Sequence, residues 1–85
     1  MANQSNLIAT AARKGSAKAS TWRAYRDGNT VTVWHYSHPM VAVDTATGQA
    51  TPLSRGYGSM TDKCGIRKIL TGYGIPIGYR ELHGD

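Results

Sequence analysis

His35 and His38 stand three residues apart and form the chain's one pair at metal-ligand spacing. Cys64 and His83 can in principle complete a set of four ligands. On a strand, however, residues three apart point to opposite faces. The pair chelates only if a turn at Ser37–Pro39 folds it back. No second cysteine supplies a Cys-x-x-Cys half-site, so no metal is expected. Cys64 lies near a helix start, where a thiol pKa is lowered, but it reads as a small buried helix residue. The five acidic residues are scattered and offer no carboxylate pair for acid–base work. Arg55-Gly56-Tyr57-Gly58 lacks the Gly-Lys-Ser/Thr ending of a phosphate loop. The chain is therefore expected to be non-enzymatic, with no cofactor and no small-molecule substrate.

The positive signal is cations interleaved with aromatics. Ten Lys and Arg stand against five acids, a net charge of +5, which suits an anionic or acidic partner. The candidate binding surface comprises Arg23, Tyr25, Trp34 and Tyr36 on strands, and Lys63, Arg67 and Lys68 on a helix. Aromatics and an arginine on one β-surface can stack bases. Arg13, Lys14 and Lys18 make the first 20 residues a basic arm.

Those side chains need a scaffold. Eighty-five residues are one small domain with a thin core, and ten glycines favour turns over long helices. Residues 1–20 read as a flexible basic arm or a short helix from about 6 to 14, capped by Ser5 and ended by Gly15. Their acid-free Arg/Ala/Ser composition also suits a transit peptide. Residues 21–85 read as a single α+β domain. Asp27-Gly28 sits between two β-prone runs, a strong hairpin cue. A turn there sets Trp22 opposite Val33 and Ala24 opposite Val31 on a core face. Arg23, Tyr25, Thr30 and Thr32 then share a wet face, which Trp34 and Tyr36 continue.

A turn at Ser37-His38 places Val41 and Val43 opposite the core face. That leaves surplus apolar surface, hence an expected homodimer or a fold-over of the arm through Leu7 and Ile8. Gln49–Leu53 reads as a short strand. Ser59 and Asp62 match a capping box, and Ile66, Ile69, Leu70 and Tyr73 form one helical stripe. The fold is thus a small antiparallel sheet of three to five strands, hairpin or meander, with one helix at about 60–71, ended by Gly72 in the left-handed conformation. A last strand runs over Ile75, Ile77 and Tyr79. The core comprises Trp22, Val31, Val33, Ile66, Ile69 and Leu70.

Two segments carry a resemblance: Trp34-His35-Tyr36-Ser37-His38-Pro39-Met40-Val41-Ala42, and Gly56-Tyr57-Gly58-Ser59-Met60-Thr61. Over residues 30–71 the chain resembles small uncharacterised phage and archaeal-virus proteins. Those have an aromatic-Tyr-Ser-x-Pro-Val-Ala strand followed by a Tyr-Ser-x-Thr-Thr helix start. Asp62 stands where a second Thr is common, and the His or Arg-His a few residues later is missing. The resemblance implies a viral context and little chemistry, and the chain is expected to be a small viral accessory protein. The first expectation is binding of a host protein through the sheet surface. The alternative is a nucleic-acid-binding module using the Arg/Trp/Tyr surface and the helix cations. The third is a self-associating assembly protein. No run is long enough to span a membrane. The single cysteine fits a reducing compartment, so a cytoplasmic location, the host's if viral, is expected.

Overall fold

A computed structural model describes residues 3–84. The chain is α+β, a five-stranded antiparallel meander with its strands in sequence order. A 3-10 turn, Gln4–Asn6, leads into helix α1, Leu7–Lys14. The strands are β1 Ser16–Ala19, β2 Trp22–Asp27, β3 Thr30–His35, β4 His38–Asp44 and β5 Gln49–Pro52. Helices α2, Met60–Gly72, and α3, Tyr79–His83, follow. The sequence anticipates α2 through its aliphatic stripe but not α3. α1 corresponds to the short helix expected near 6–14 and closes at Gly15. Its lead-in is capped by Asn3 rather than Ser5, since Asn3 and Asn6 exchange side-chain-to-backbone bonds.

The anticipated arm thus contributes a helix and an edge strand. Leu7, Ile8 and Ala11 are buried in the core, and Ser16–Ala19 pairs with Trp22–Tyr25. β1 carries no large apolar residue, so its sequence gives no strand signal. It is held by the β-prone partner beside it.

Strand β2 alternates buried Trp22 and Ala24 with exposed Arg23 and Tyr25. β3 alternates buried Val31, Val33 and His35 with half-buried Thr32 and Trp34. The β2–β3 turn falls on Gly28-Asn29, not Asp27-Gly28, because Asp27 pairs with Thr30. Gly28 takes φ 63°, the left-handed value a primed turn requires at its first central residue. Every pair is displaced by two from the expected register: Trp22 faces His35 and Ala24 faces Val33. A two-residue displacement preserves side-chain parity, so both faces keep their expected members.

The β3–β4 hairpin departs by an odd step. The turn is Tyr36-Ser37, with Tyr36 at φ 56°. Trp34 faces Pro39 while Val33 faces Val41, so Met40 is an extra residue in β4. This bulge lets Met40 and Val41 both enter the core and returns Val43 to the inner face opposite Val31. Val41 and Val43 are core residues, not members of an outer apolar patch. The surplus apolar surface behind the expected homodimer thus loses its two valines, while Trp34 and Tyr36 remain on the outer face.

One face of the sheet carries the core: Trp22, Val31, Val33, Ile66, Ile69 and Leu70, as expected, with Leu7, Ile8, Met40, Val41, Val43, Tyr79 and Leu82. Gly65 lets α2 lie directly on Trp22, where an added Cβ would sit 2.2 Å from ring atom Cζ2. Gly72 does not end α2 in a left-handed turn. It abuts the Ser5 backbone, with an added Cβ 2.1 Å from its carbonyl oxygen, and the helix closes at Tyr73. The expected last strand is also not found. Ile75 and Ile77 lie in a loop packed against the core, and Tyr79–His83 is helical. Glu81 caps this short helix by accepting from the Gly78 N–H at 3.2 Å. No helix among the described residues is long and apolar enough to cross a membrane.

Candidate binding groove and its hydrogen-bonded floor

The outer face of β1–β3 is uncovered and bears a groove of about 670 Å³ lined by Lys18, Ser20, Thr21, Arg23, Tyr25, Trp34, Tyr36 and Ser37. Pairing explains the composition. Lys18 faces Arg23 and Arg23 faces Trp34, giving a cation–cation–indole row across three strands. Tyr25 is one pleat further along β2, roughly 7 Å away, and stands 47% exposed. Tyr36, 58% exposed, closes the other end. Its ring meets Tyr57 edge-on at 6.0 Å, and Tyr57 in turn meets His38 edge-on at 4.6 Å.

Among the described residues, no Asp or Glu lines the groove, and neither Lys18 nor Arg23 is ion-paired. The groove can therefore take negative charge without displacing an internal partner. Of the expected surface, Arg23, Tyr25, Trp34 and Tyr36 come together here, joined by Lys18 from the arm. Arg13 and Lys14 are exposed in the last turn of α1 and do not line it.

Lys63, Arg67 and Lys68 are not part of this surface. Helix α2 packs on the core face, so its cations belong to the other side of the molecule. Lys63 and Arg67 line a separate cleft with Met60, Cys64, Tyr79 and Arg80, while Lys68 is exposed outside it. Cys64 is exposed rather than buried. The helix turns Ile66, Ile69 and Leu70 inward, and Cys64 lies off that stripe.

Behind the groove lies a buried polar chain that the sequence does not reveal. Thr21 Oγ1 is 2.8 Å from His35 Nε2, and His35 Nδ1 is 2.5 Å from Asp62 Oδ1. His35 is 1% exposed and Asp62 fully buried. The imidazole stacks on Trp22 with ring centroids 4.1 Å apart and planes 10° from parallel. Asp62 Oδ2 accepts from the Tyr57 N–H at 3.0 Å, the Ser59 N–H at 3.1 Å and the Ser59 hydroxyl at 3.1 Å. Asp62 is thus the capping-box residue of α2 and the partner of a sheet histidine at once.

Burial alone would push the Asp62 carboxyl up. The hydrogen bonds from His35 and Ser59 outweigh it and hold the group below its ordinary value. The carboxylate is acceptor-only, so His35 Nδ1 carries a proton and donates it. The three residues lie 14 and 27 positions apart, so spacing gave no hint of them. The capping-box match identified Asp62 only as a helix cap.

The order hydroxyl–imidazole–carboxylate is that of an activated nucleophile. Here the imidazole is stacked on Trp22, bonded to the carboxylate through Nδ1, and meets the exposed Tyr36 ring with centroids 4.6 Å apart. His35 and His38 face each other as a cross-strand pair, with His35 engaged on both nitrogens. Among the described residues no group of three His, Cys, Asp or Glu is placed to hold a metal. No family model, curated protein or solved structure matches this chain.

Proposed function

We propose that this chain is a non-enzymatic module that binds single-stranded nucleic acid in the outer groove of β1–β3. The observation that carries the reading is the Lys18–Arg23–Trp34 row, two unpaired cations beside an aromatic, with no carboxylate among the described lining residues. The cations take phosphates, while Trp34, Tyr25 and Tyr36 offer faces on which successive bases stack. The flat, open face suits unpaired bases better than a duplex, whose bases are already stacked.

The test is fluorescence anisotropy with labelled single-stranded 12-mers at about 50 mM salt. Binding should weaken steeply as salt rises. Arg23→Ala should reduce the salt dependence. Absence of binding at low salt would reject the reading. A second reading is a viral accessory protein that docks a host protein on the same face. It is favoured by the aromatic Tyr36–Tyr57–His38 ladder at the groove end. Under it, nucleic acid does not bind and Tyr36→Ala abolishes capture of the host partner.

A further inference from the structure

We propose that the cleft between α2 and α3 docks an acidic peptide segment of a partner protein, one that carries an apolar anchor. The cleft lies on the side of the molecule away from the outer groove, and the inference stands whether or not that groove takes nucleic acid. Its volume is about 360 Å³, within the range of sites that enclose a ligand. Lys63 and Arg67 are four apart on α2 and share a face, and Arg80 lines the same cleft from α3. All three are exposed, and none is ion-paired among the described residues. Glu81, the one carboxylate among the described lining residues, accepts from the Gly78 N–H as the cap of α3. Three cations against one carboxylate leave the cleft positive and open to an acidic ligand.

Shape and composition select a peptide over other anions. Arg67, Gly78 and Glu81 also line an adjoining cleft of about 250 Å³ that continues to Thr71 and Ile77. The positive charge is therefore spread along a track that suits a chain segment, not gathered at one point as for a lone phosphate. Met60, 70% exposed, and the exposed Cys64 are four apart on α2 beside Lys63. They give the cleft an apolar end against which an aliphatic side chain can be buried. Bases find no ring to stack on there. Tyr79 is the only aromatic among the described lining residues; it is 6% exposed and donates its hydroxyl to the Arg55 carbonyl at 2.8 Å. Cations beside exposed apolar atoms are complementary to acidic side chains that flank an aliphatic one.

The experiment titrates a blocked heptapeptide, one leucine between two runs of three acidic residues, into the full chain at about 50 mM salt, where screening is weak. Binding is read by ¹H–¹⁵N shift mapping. The amides of Lys63, Cys64, Arg67 and Arg80 should shift, while those of Arg23 and Tyr25 stay in place. Arg67→Glu should weaken binding roughly ten-fold, since it replaces an attraction by a repulsion inside the cleft. Lys68→Glu makes the same change of charge outside the cleft and should keep the affinity within about two-fold. Both side chains are exposed, so both variants should melt with the parent. A peptide with alanine for leucine should bind the unaltered chain about five-fold more weakly. Equal weakening by the two variants overturns the inference, because diffuse attraction then suffices. Equal binding of the alanine peptide overturns the apolar anchor. Peptide shifts confined to the outer groove, or no shifts at about millimolar peptide, overturn the docking site. Displacement of the peptide from Lys63 and Arg67 by a single-stranded oligonucleotide overturns it as well and assigns the cleft to nucleic acid.

Discussion

The two faces of β2 and β3 treat polarity in opposite ways. On the inner face, the polar groups of His35 and Asp62 are fully buried and satisfied by one another, by Thr21 and by the start of α2. On the outer face, Lys18 and Arg23 are exposed and without an ionic partner among the described residues. A buried polar group left unpaired costs about 1–3 kcal/mol, more when charged. His35 and Asp62 avoid that cost by pairing, whereas the buried Trp22 Nε1 on the same face has no hydrogen-bond partner among the described residues. The outer set is under no such constraint, and its unspent cations and rings can serve a ligand. The two tryptophans divide the same way: Trp22 is 0% exposed against α2, while Trp34 lines the groove.

The comparison breaks most readily on the inner side. Asp62→Ala strands His35 and removes the α2 cap together. Deleting one partner of a buried pair costs about 3–5 kcal/mol, a large share of what a domain this size possesses. Thermal unfolding should show a collapse of the melting temperature. A melting temperature within a few degrees of the parent would mean the pair is dispensable. Leu70→Ala, which opens a cavity in the same core, should cost roughly 2–5 kcal/mol in urea unfolding. An unchanged midpoint would remove Leu70 from the core.

Acid should sharpen the picture. A carboxyl whose native pKa lies below its unfolded value contributes stability that is fully present above about pH 4. That contribution is lost as pH falls further, through the lowered native pKa of Asp62. Unfolding midpoints measured from pH 6 to pH 2 should drop below about pH 4, and Asp62→Asn should flatten that limb. An equal acid limb in both proteins would assign it to other carboxylates.

The residues show how far the sequence is legible and where it stops. Local signals are reliable: the Ser59–Asp62 box, the Ile66–Ile69–Leu70 stripe and the alternation in β2 and β3 all lie where their spacing places them. The parity of Arg23, Tyr25, Trp34 and Tyr36 survives a turn displaced by one residue at each strand end, because the register moves by two. Val41 and Val43 are misplaced because a single extra residue, Met40, inverts parity, and a bulge has no composition signature here. Ser16–Ala19 has weak strand propensity and is a strand only because β2 stands beside it. The Thr21–His35–Asp62 chain is a product of tertiary folding, since no local pattern joins a turn, a strand end and a helix start.

The smallest structural effect belongs to the outer face. Trp34→Ala should leave the melting temperature nearly unchanged while weakening single-strand binding by roughly 1–3 kcal/mol. A large loss of stability would make Trp34 a core residue instead of a ligand platform.

The most direct measurement follows both indole N–H resonances in a ¹H–¹⁵N spectrum as a single-stranded oligonucleotide is added at low salt. The binding-groove reading predicts that the Trp34 indole signal and the amides of Lys18, Arg23, Tyr25 and Tyr36 shift progressively, while the Trp22 indole and the amides of Lys63 and Arg67 stay in place. Shifts confined to the α2 cations, with Trp34 silent, would contradict it.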